Sequence, residues 1–148
     1  MFGIMNKASW HTFQVLTKRA ERLEELAPYL KWSPNIWQGV TVESDQYKYH
    51  KYRIDSLRKV NAKVRFISFE PLIDEVKNLD LTGVDWAIVG GESGFKSRRM
   101  DSEWVLSIKN ECDQQGECGV SSHLGSKCSS VIFLKPRELF NPLMNPKY

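Results

Sequence analysis

Polar and apolar positions alternate along several short stretches of this chain, and three of those stretches finish on glutamate. They run from Ile36 to Glu43, from Val64 to Glu70 and from Trp86 to Glu92. Successive side chains of a strand point to opposite faces. One face therefore carries Val40, Val42, Ile67, Phe69 and Val89. The other carries Thr41, Glu43, Ser68, Glu70, Gly90 and Glu92. An apolar face calls for helices packed upon it. A small, polar face that ends in carboxylates calls for water or a ligand. Strands of a β/α barrel or half-barrel read this way, with function placed at their carboxyl ends.

The intervening segments alternate with these strands. Residues 12–18 read as a first strand, with Phe13 and Val15 on one face and Gln14, Leu16 and Lys18 on the other. Leu23, Leu26, Ala27 and Leu30 recur at helical spacing and predict a helix over 20–30. Trp32-Ser33-Pro34 ends it, because proline cannot continue a helix and restricts its predecessor. A second helix is predicted over 45–60, capped by Ser44 or Asp45, with Tyr47, Ile54, Leu57 and Val60 facing inward. Pro71 stops the strand at 64–70. Leu72, Ile73, Val76 and Leu79 suggest a short helix closed by Gly83. A strand over 85–91 leads into the flexible loop Gly90-Gly91-Glu92-Ser93-Gly94. The capping residues of Met100–Glu103 then open a last helix with Trp104, Val105 and Ile108 as its apolar stripe, ending near Gly116. Four strand–helix repeats with short connections predict an α/β fold. About four parallel strands are joined by right-handed crossovers, with helices on the outer face.

After Gly116 the pattern breaks. The repeat demands another buried strand, but Glu117–Ser130 is polar and glycine-rich, Val131–Leu134 is apolar but short, and Pro136, Pro142 and Pro146 crowd the end. Irregular structure with at most one short strand is expected there. At the front, Met1–Trp10 reads as the last turns of a helix, with Phe2, Ile4 and Met5 apolar. Four or five strands cannot close a barrel. The chain thus reads as a partial barrel over 1–116 with an irregular or poorly ordered tail over 117–148, the middle and back of something larger.

Bulk properties add little to this picture. A length of 148 residues suits one domain, and a net charge of +3 is too small to argue for nucleic acid by itself. No apolar run reaches the length of a membrane span and the N-terminus has no signal-peptide pattern, so a cytoplasmic location is the default. Cys112, Cys118 and Cys128 are odd in number and fit no common zinc spacing, which speaks against a disulfide framework or a zinc site. His11, His50 and His123 are isolated from one another, and no metal is assigned.

Candidate chemistry gathers at the strand ends. Glu43, Glu70 and Glu92 could bind a cation or a substrate amine, and close carboxylates would raise one another's pKa. Lys18 shares their side and could pair with one of them or hold a substrate carboxylate. The plainer alternative is a set of solvated strand-end residues that keep the sheet from aggregating. Gly90 and Gly91 would let a ligand approach the backbone, or simply make a tight turn. Arg98 and Arg99, with Lys96, suit phosphate or carboxylate, although a short basic run is often only solvated. Tyr47–Arg53 interleaves aromatic and basic residues. That mix suits single-stranded nucleic acid, or a helix with aromatics inside and cations outside.

Four stretches taken in order carry a resemblance: His11–Arg19, Asn35–Glu43, Lys63–Leu72 and Val84–Gly94. Over about residues 1–116 the chain resembles the phage gp thirty-seven/gp sixty-eight family, a domain of unknown function distantly similar to radical S-adenosylmethionine (SAM) enzymes. Gly90-Gly91-Glu92-Ser93 looks like the motif that contacts SAM in such enzymes. Members also carry a cysteine triad near the N-terminus that is expected to hold an iron–sulfur cluster. This chain begins after that triad, and none of its cysteines corresponds to it. Members follow the last helix with an aromatic strand ending in a Lys-Gln-Trp-Gly type motif, which Gly119–Ser126 does not match. The abrupt loss of patterning after Gly116 motivates the expectation of a truncated gene product whose residues over 117–148 come from a shifted reading frame.

The functional expectation is a fragment of a radical-SAM-like enzyme of unknown substrate, inactive alone. Lys18, Glu43, Glu70, Gly90, Gly91, Glu92 and Ser93 would line its mouth, and Arg98 and Arg99 would take an anion. The chain itself would hold no cofactor, with SAM and the cluster belonging to the full-length parent. The alternative is a non-catalytic binding or structural protein of phage origin. It would associate with a missing N-terminal half, with itself or with nucleic acid, and not with a membrane.

Overall fold

A computed structural model describes residues 1–45, 49–116 and 118–123, with residues 49–50 and 119–123 described by backbone only. The sheet has five parallel strands in chain order: β1 (Phe13–Thr17), β2 (Ile36–Thr41), β3 (Arg65–Phe69), β4 (Trp86–Gly90) and β5 (Gly119–His123). The helices are α1 (Phe2–Lys7), α2 (Ala20–Leu26), α3 (Tyr49–Arg58) and α4 (Ser102–Gln115), and α2 tightens into a 3-10 turn over Ala27–Tyr29. Parallel strands joined by right-handed crossovers in consecutive order place every connection on the same face. The sheet is therefore singly wound, like a length of barrel wall, and has no point at which the strand order reverses.

The alternation read from the sequence decides which face the helices cover. Val40, Val42, Ile67, Phe69, Ala87 and Val89 are buried in one core with Leu23 of α2, Ile54 and Leu57 of α3, and Val105, Ile108 and Cys112 of α4. Across the sheet, Leu16 is about half exposed, and Trp37, Trp86 and Ile88 are half-buried. On that inner face Phe66 is buried over Gly39, and an aromatic layer of Trp37, Phe66 and Trp86 forms at the amino ends of the strands.

Helix ends follow their local signals. The Asp101 carboxylate accepts the Glu103 N–H at 3.0 Å and caps α4, and Gly116 closes it at φ 72°, a left-handed value that suits a residue without Cβ. The Trp32 indole donates to the Ala27 carbonyl at 3.0 Å just past α2. Glu24 ties α2 to α3 by accepting from Ser56 at 2.9 Å, Tyr52 at 3.2 Å and Lys59 at 2.6 Å. At the front, the Asn35 amide donates to the carbonyls of Met5, Ala8 and His11 and fastens α1 to the sheet.

The segment between β3 and β4 differs from expectation. No helix forms there. Leu72, Val76, Leu79, Leu81 and Val84 are all buried, and 72, 76 and 79 keep a helical spacing, but Asn78 takes a left-handed φ of 51° that a helix does not accommodate. The segment is pinned to both neighbouring strands instead, through Leu72 N–H to Gly90 O at 2.8 Å and Ile73 N–H to Glu43 O at 3.0 Å. Gly83, expected to close a helix, sits at φ 72° in a turn before β4. Strand β5 is a short strand within the stretch expected to be irregular apart from one short strand at most. It pairs with β4 from Trp86–Gly119 to Gly90–His123. An open strand edge offers unpaired N–H and C=O groups whatever the side chains of its partner, so a polar segment delivered there by α4 can complete the ladder. Tyr47 and the segment 124–148, with Cys128 and Val131–Leu134, lie outside the described residues. Among the described residues no helix is long and apolar enough to cross a membrane.

Candidate functional site at the carboxyl ends of the strands

Each strand delivers one of the expected residues to the same end of the sheet. Lys18 follows β1 directly, Glu43 lies two residues beyond β2, Glu70 follows β3 directly, and Glu92 lies two residues beyond β4. Their parity places them over the inner face, above the buried Thr41 and Ser68. The loop after β3 fixes their spacing, because its two backbone hydrogen bonds reach Glu43 on one side and Gly90 on the other.

The carboxylates do not meet as a cluster. Lys18 Nζ lies 2.5 Å from Glu43 Oε1, and Arg53 Nη1 approaches Glu43 Oε2 at 4.0 Å while donating to the Thr41 carbonyl at 2.8 Å. Lys18 thus pairs with one of the glutamates. Arg53, which the sequence reading had placed only in an aromatic–basic run, proves to be a second neighbour of that carboxylate. Glu92 is gripped by Arg98: Nε donates to Oε2 at 2.9 Å, Nη2 to Oε1 at 2.7 Å, and the Arg98 backbone N–H to Oε2 at 2.9 Å. These bonds hold the Glu92 carboxyl at about 2, well below its usual value. Mutual elevation among the glutamates is therefore not what sets Glu92. Among the described residues no group of three His, Cys, Asp or Glu side chains comes together to hold a metal ion.

Glu70 behaves differently. It is exposed, and no ion-pair partner faces it among the described residues. Its carboxylate lies over Gly90, where a Cβ would come within 2.6 Å of Oε1. The bare backbone of Gly90 thus makes room for a neighbouring side chain. A Cβ on Gly91 would meet only Met100, at the ordinary contact distance of 3.5 Å. Ser93 and Arg99 are exposed. Arg98 and Arg99 do not form one guanidinium cradle, since Arg98 is committed to Glu92.

The described cysteines are elsewhere. Cys118 immediately precedes Gly119, which pairs with the first residue of β4, so it lies at the amino ends of the strands. Its thiol is pushed up by a hydrogen bond with Cys112 of α4 and by burial. This pair is at the opposite end of the sheet from the glutamates. In the aromatic–basic run, Tyr52 and Lys51 are exposed and engaged at the surface: Tyr52 bonds Glu24, and Lys51 pairs with Asp45 at 3.7 Å.

A singly wound parallel sheet flanked by helices, with charged side chains at the carboxyl ends of consecutive strands, places the chain in the α/β class with the look of a length of β/α barrel. The chain belongs to the family described as Protein of unknown function (DUF5131), whose model matches residues 1–124. That match continues past Gly116 and through β5. No curated protein and no solved structure matches the chain.

Proposed function

We propose that this chain is part of a phage-type, radical-SAM-like enzyme and that it supplies the wall of the barrel that receives the ligand's ammonium group. One observation carries the proposal. Of three glutamates at consecutive strand ends, two are neutralised by neighbouring cations, whereas Glu70 is exposed and held in place over Gly90. Glu43 and Glu92 then act as positioning groups that brace the rim through Lys18 and Arg98. Glu70 accepts the ammonium of an amino-acid-like ligand such as the methionyl end of SAM.

An iron–sulfur cluster does not fit the described cysteines. Cys112 and Cys118 are only two thiols, and they lie at the far end of the sheet from Glu70. No reaction step is assigned to this chain through such a cluster, and its part is binding and orientation. Calorimetric titration of the protein with SAM tests the assignment. Binding is expected, with a loss of roughly tenfold or more in Glu70→Gln, since a hydrogen bond to a charged group contributes about 1.5–3 kcal/mol. Absence of binding, or equal affinity in the variant, would overturn it.

A further inference from the structure

We infer that the loop after β4 is a contact surface for single-stranded nucleic acid, with Phe95 as a stacking platform and Lys96 and Arg99 as phosphate contacts. This does not rest on the reading of Glu70. Phe95 is fully exposed, at 101% of its reference area. A lone exposed apolar residue needs no explanation by itself. Here, however, the ring is carried by a loop that is closed on itself. Glu92 and Arg98 clamp its two ends with three hydrogen bonds, and Ser97 N–H donates to Gly94 O at 3.3 Å across the turn that presents Phe95. Gly94 takes a φ of 121°, a conformation that L side chains rarely adopt, so the turn is built around glycine.

The clamp also sorts the charges. It neutralises Glu92 and leaves Lys96 and Arg99 exposed without an ion-pair partner among the described residues, while Asp101, the loop's other carboxylate, accepts from the Glu103 N–H at the start of α4. The surface is thus one exposed aromatic ring on a clamped loop, flanked by cations that have no ion-pair partner among the described residues. Single-stranded nucleic acid matches both parts, since bases stack on an aromatic face and phosphates pair with nearby Lys and Arg. A protein partner would call for a broader apolar patch around the anchor, but here the nearest apolar neighbour in sequence, Met100, is half-buried. A membrane surface would call for more than one inserted ring. The loop leaves the sheet at the same end as Glu70, so a strand stacked on Phe95 would run across the mouth.

The test is fluorescence anisotropy with a labelled oligothymidylate at low and at moderate salt. Binding should weaken with salt, and Phe95→Ala should weaken it about tenfold, within the range of one stacked base. The double variant Lys96→Ala/Arg99→Ala should lower the slope of log affinity against log salt by roughly 1.4, at about 0.7 per phosphate contact on a single strand. Both substitutions lie on exposed side chains, and unchanged circular dichroism confirms that the variants fold. Failure to bind at low salt, binding indifferent to Phe95, or equal Phe95-dependent binding to polyglutamate or to anionic vesicles would overturn the inference.

Discussion

Replacing Gly39 with alanine drives a methyl group into Phe66. An ideal Cβ at residue 39 would stand 2.4 Å from two ring carbons of Phe66 and 2.7 Å from a third. Carbon atoms in contact settle near 3.5–4.0 Å, so more than about 1 Å must be found. The β2 backbone cannot retreat, because Gly39 sits in the ladder between Leu16 of β1 and Phe66 of β3. The ring has little room either, being 2% exposed and packed 5.7 Å from the Trp86 ring, which itself meets Trp37 at 6.1 Å. Overpacking of this kind costs about 1–3 kcal/mol. In a chain of this size each kcal/mol lowers Tm by roughly 2–4 °C. Urea denaturation followed by far-ultraviolet circular dichroism would measure the loss. A double-mutant cycle identifies its cause, since Gly39→Ala should cost much less in a Phe66→Leu background, where the aromatic ring is gone. A neutral Gly39→Ala, or the same cost in both backgrounds, would show that Phe66 does not cover Gly39 and that the inner aromatic layer is misassigned.

Three further outcomes are expected. Asp101→Ala removes the cap of α4 and should cost about 1 kcal/mol by the same denaturation assay, with Asp101→Ser retaining most of the stability. Glu92 has its folded pKa lowered from 4.5 to about 2 by Arg98, so its contribution to stability is complete above 4.5 and fades as pH falls towards 2. A carboxyl titration followed by NMR should show Glu92 moving back up in Arg98→Ala, and an unmoved titration would exclude the clamp. Cys112 is buried and the Cys118 thiol is pushed up, so peptide mapping after alkylation of the native protein should find both slow to react and both labelled once the chain unfolds. Rapid native labelling of either would contradict the packing between α4 and the start of β5.

The strands β1 to β4 were legible because two independent signals coincide in them. Alternation separates Val40 and Val42 from Thr41 and Glu43, and the helices between them carry apolar residues at a different period. The segment 72–83 misled the same reading. Leu72, Val76 and Leu79 are buried as expected, but what holds them is hydrogen bonding to strands on both sides, which no local spacing reveals. The polar strand β5 could not be placed within its stretch for a related reason, since its partner is an edge created by the rest of the sheet. At the site, parity put Lys18, Glu43, Glu70 and Glu92 on one side, yet it could not distribute the cations. That Arg53 approaches Glu43 depends on where α3 packs. That Arg98 closes on Glu92 depends on the path of a loop. Phe95, in a stretch noted only for its basic residues, gave no signal until its exposure was known.

By itself, then, the sequence determined the class of fold, the order of its strands and the face on which charge would gather. Those properties follow from side-chain period and from the handedness of short crossovers, which are local. Only the tertiary structure decided that Glu43 and Glu92 are neutralised while Glu70 is left exposed, that Gly39 and Gly90 are empty to admit Phe66 and Glu70, and that Phe95 is held out into water. Each of these is a distance between atoms on different strands or loops. Such distances are set by how the elements pack together, and no single segment encodes them.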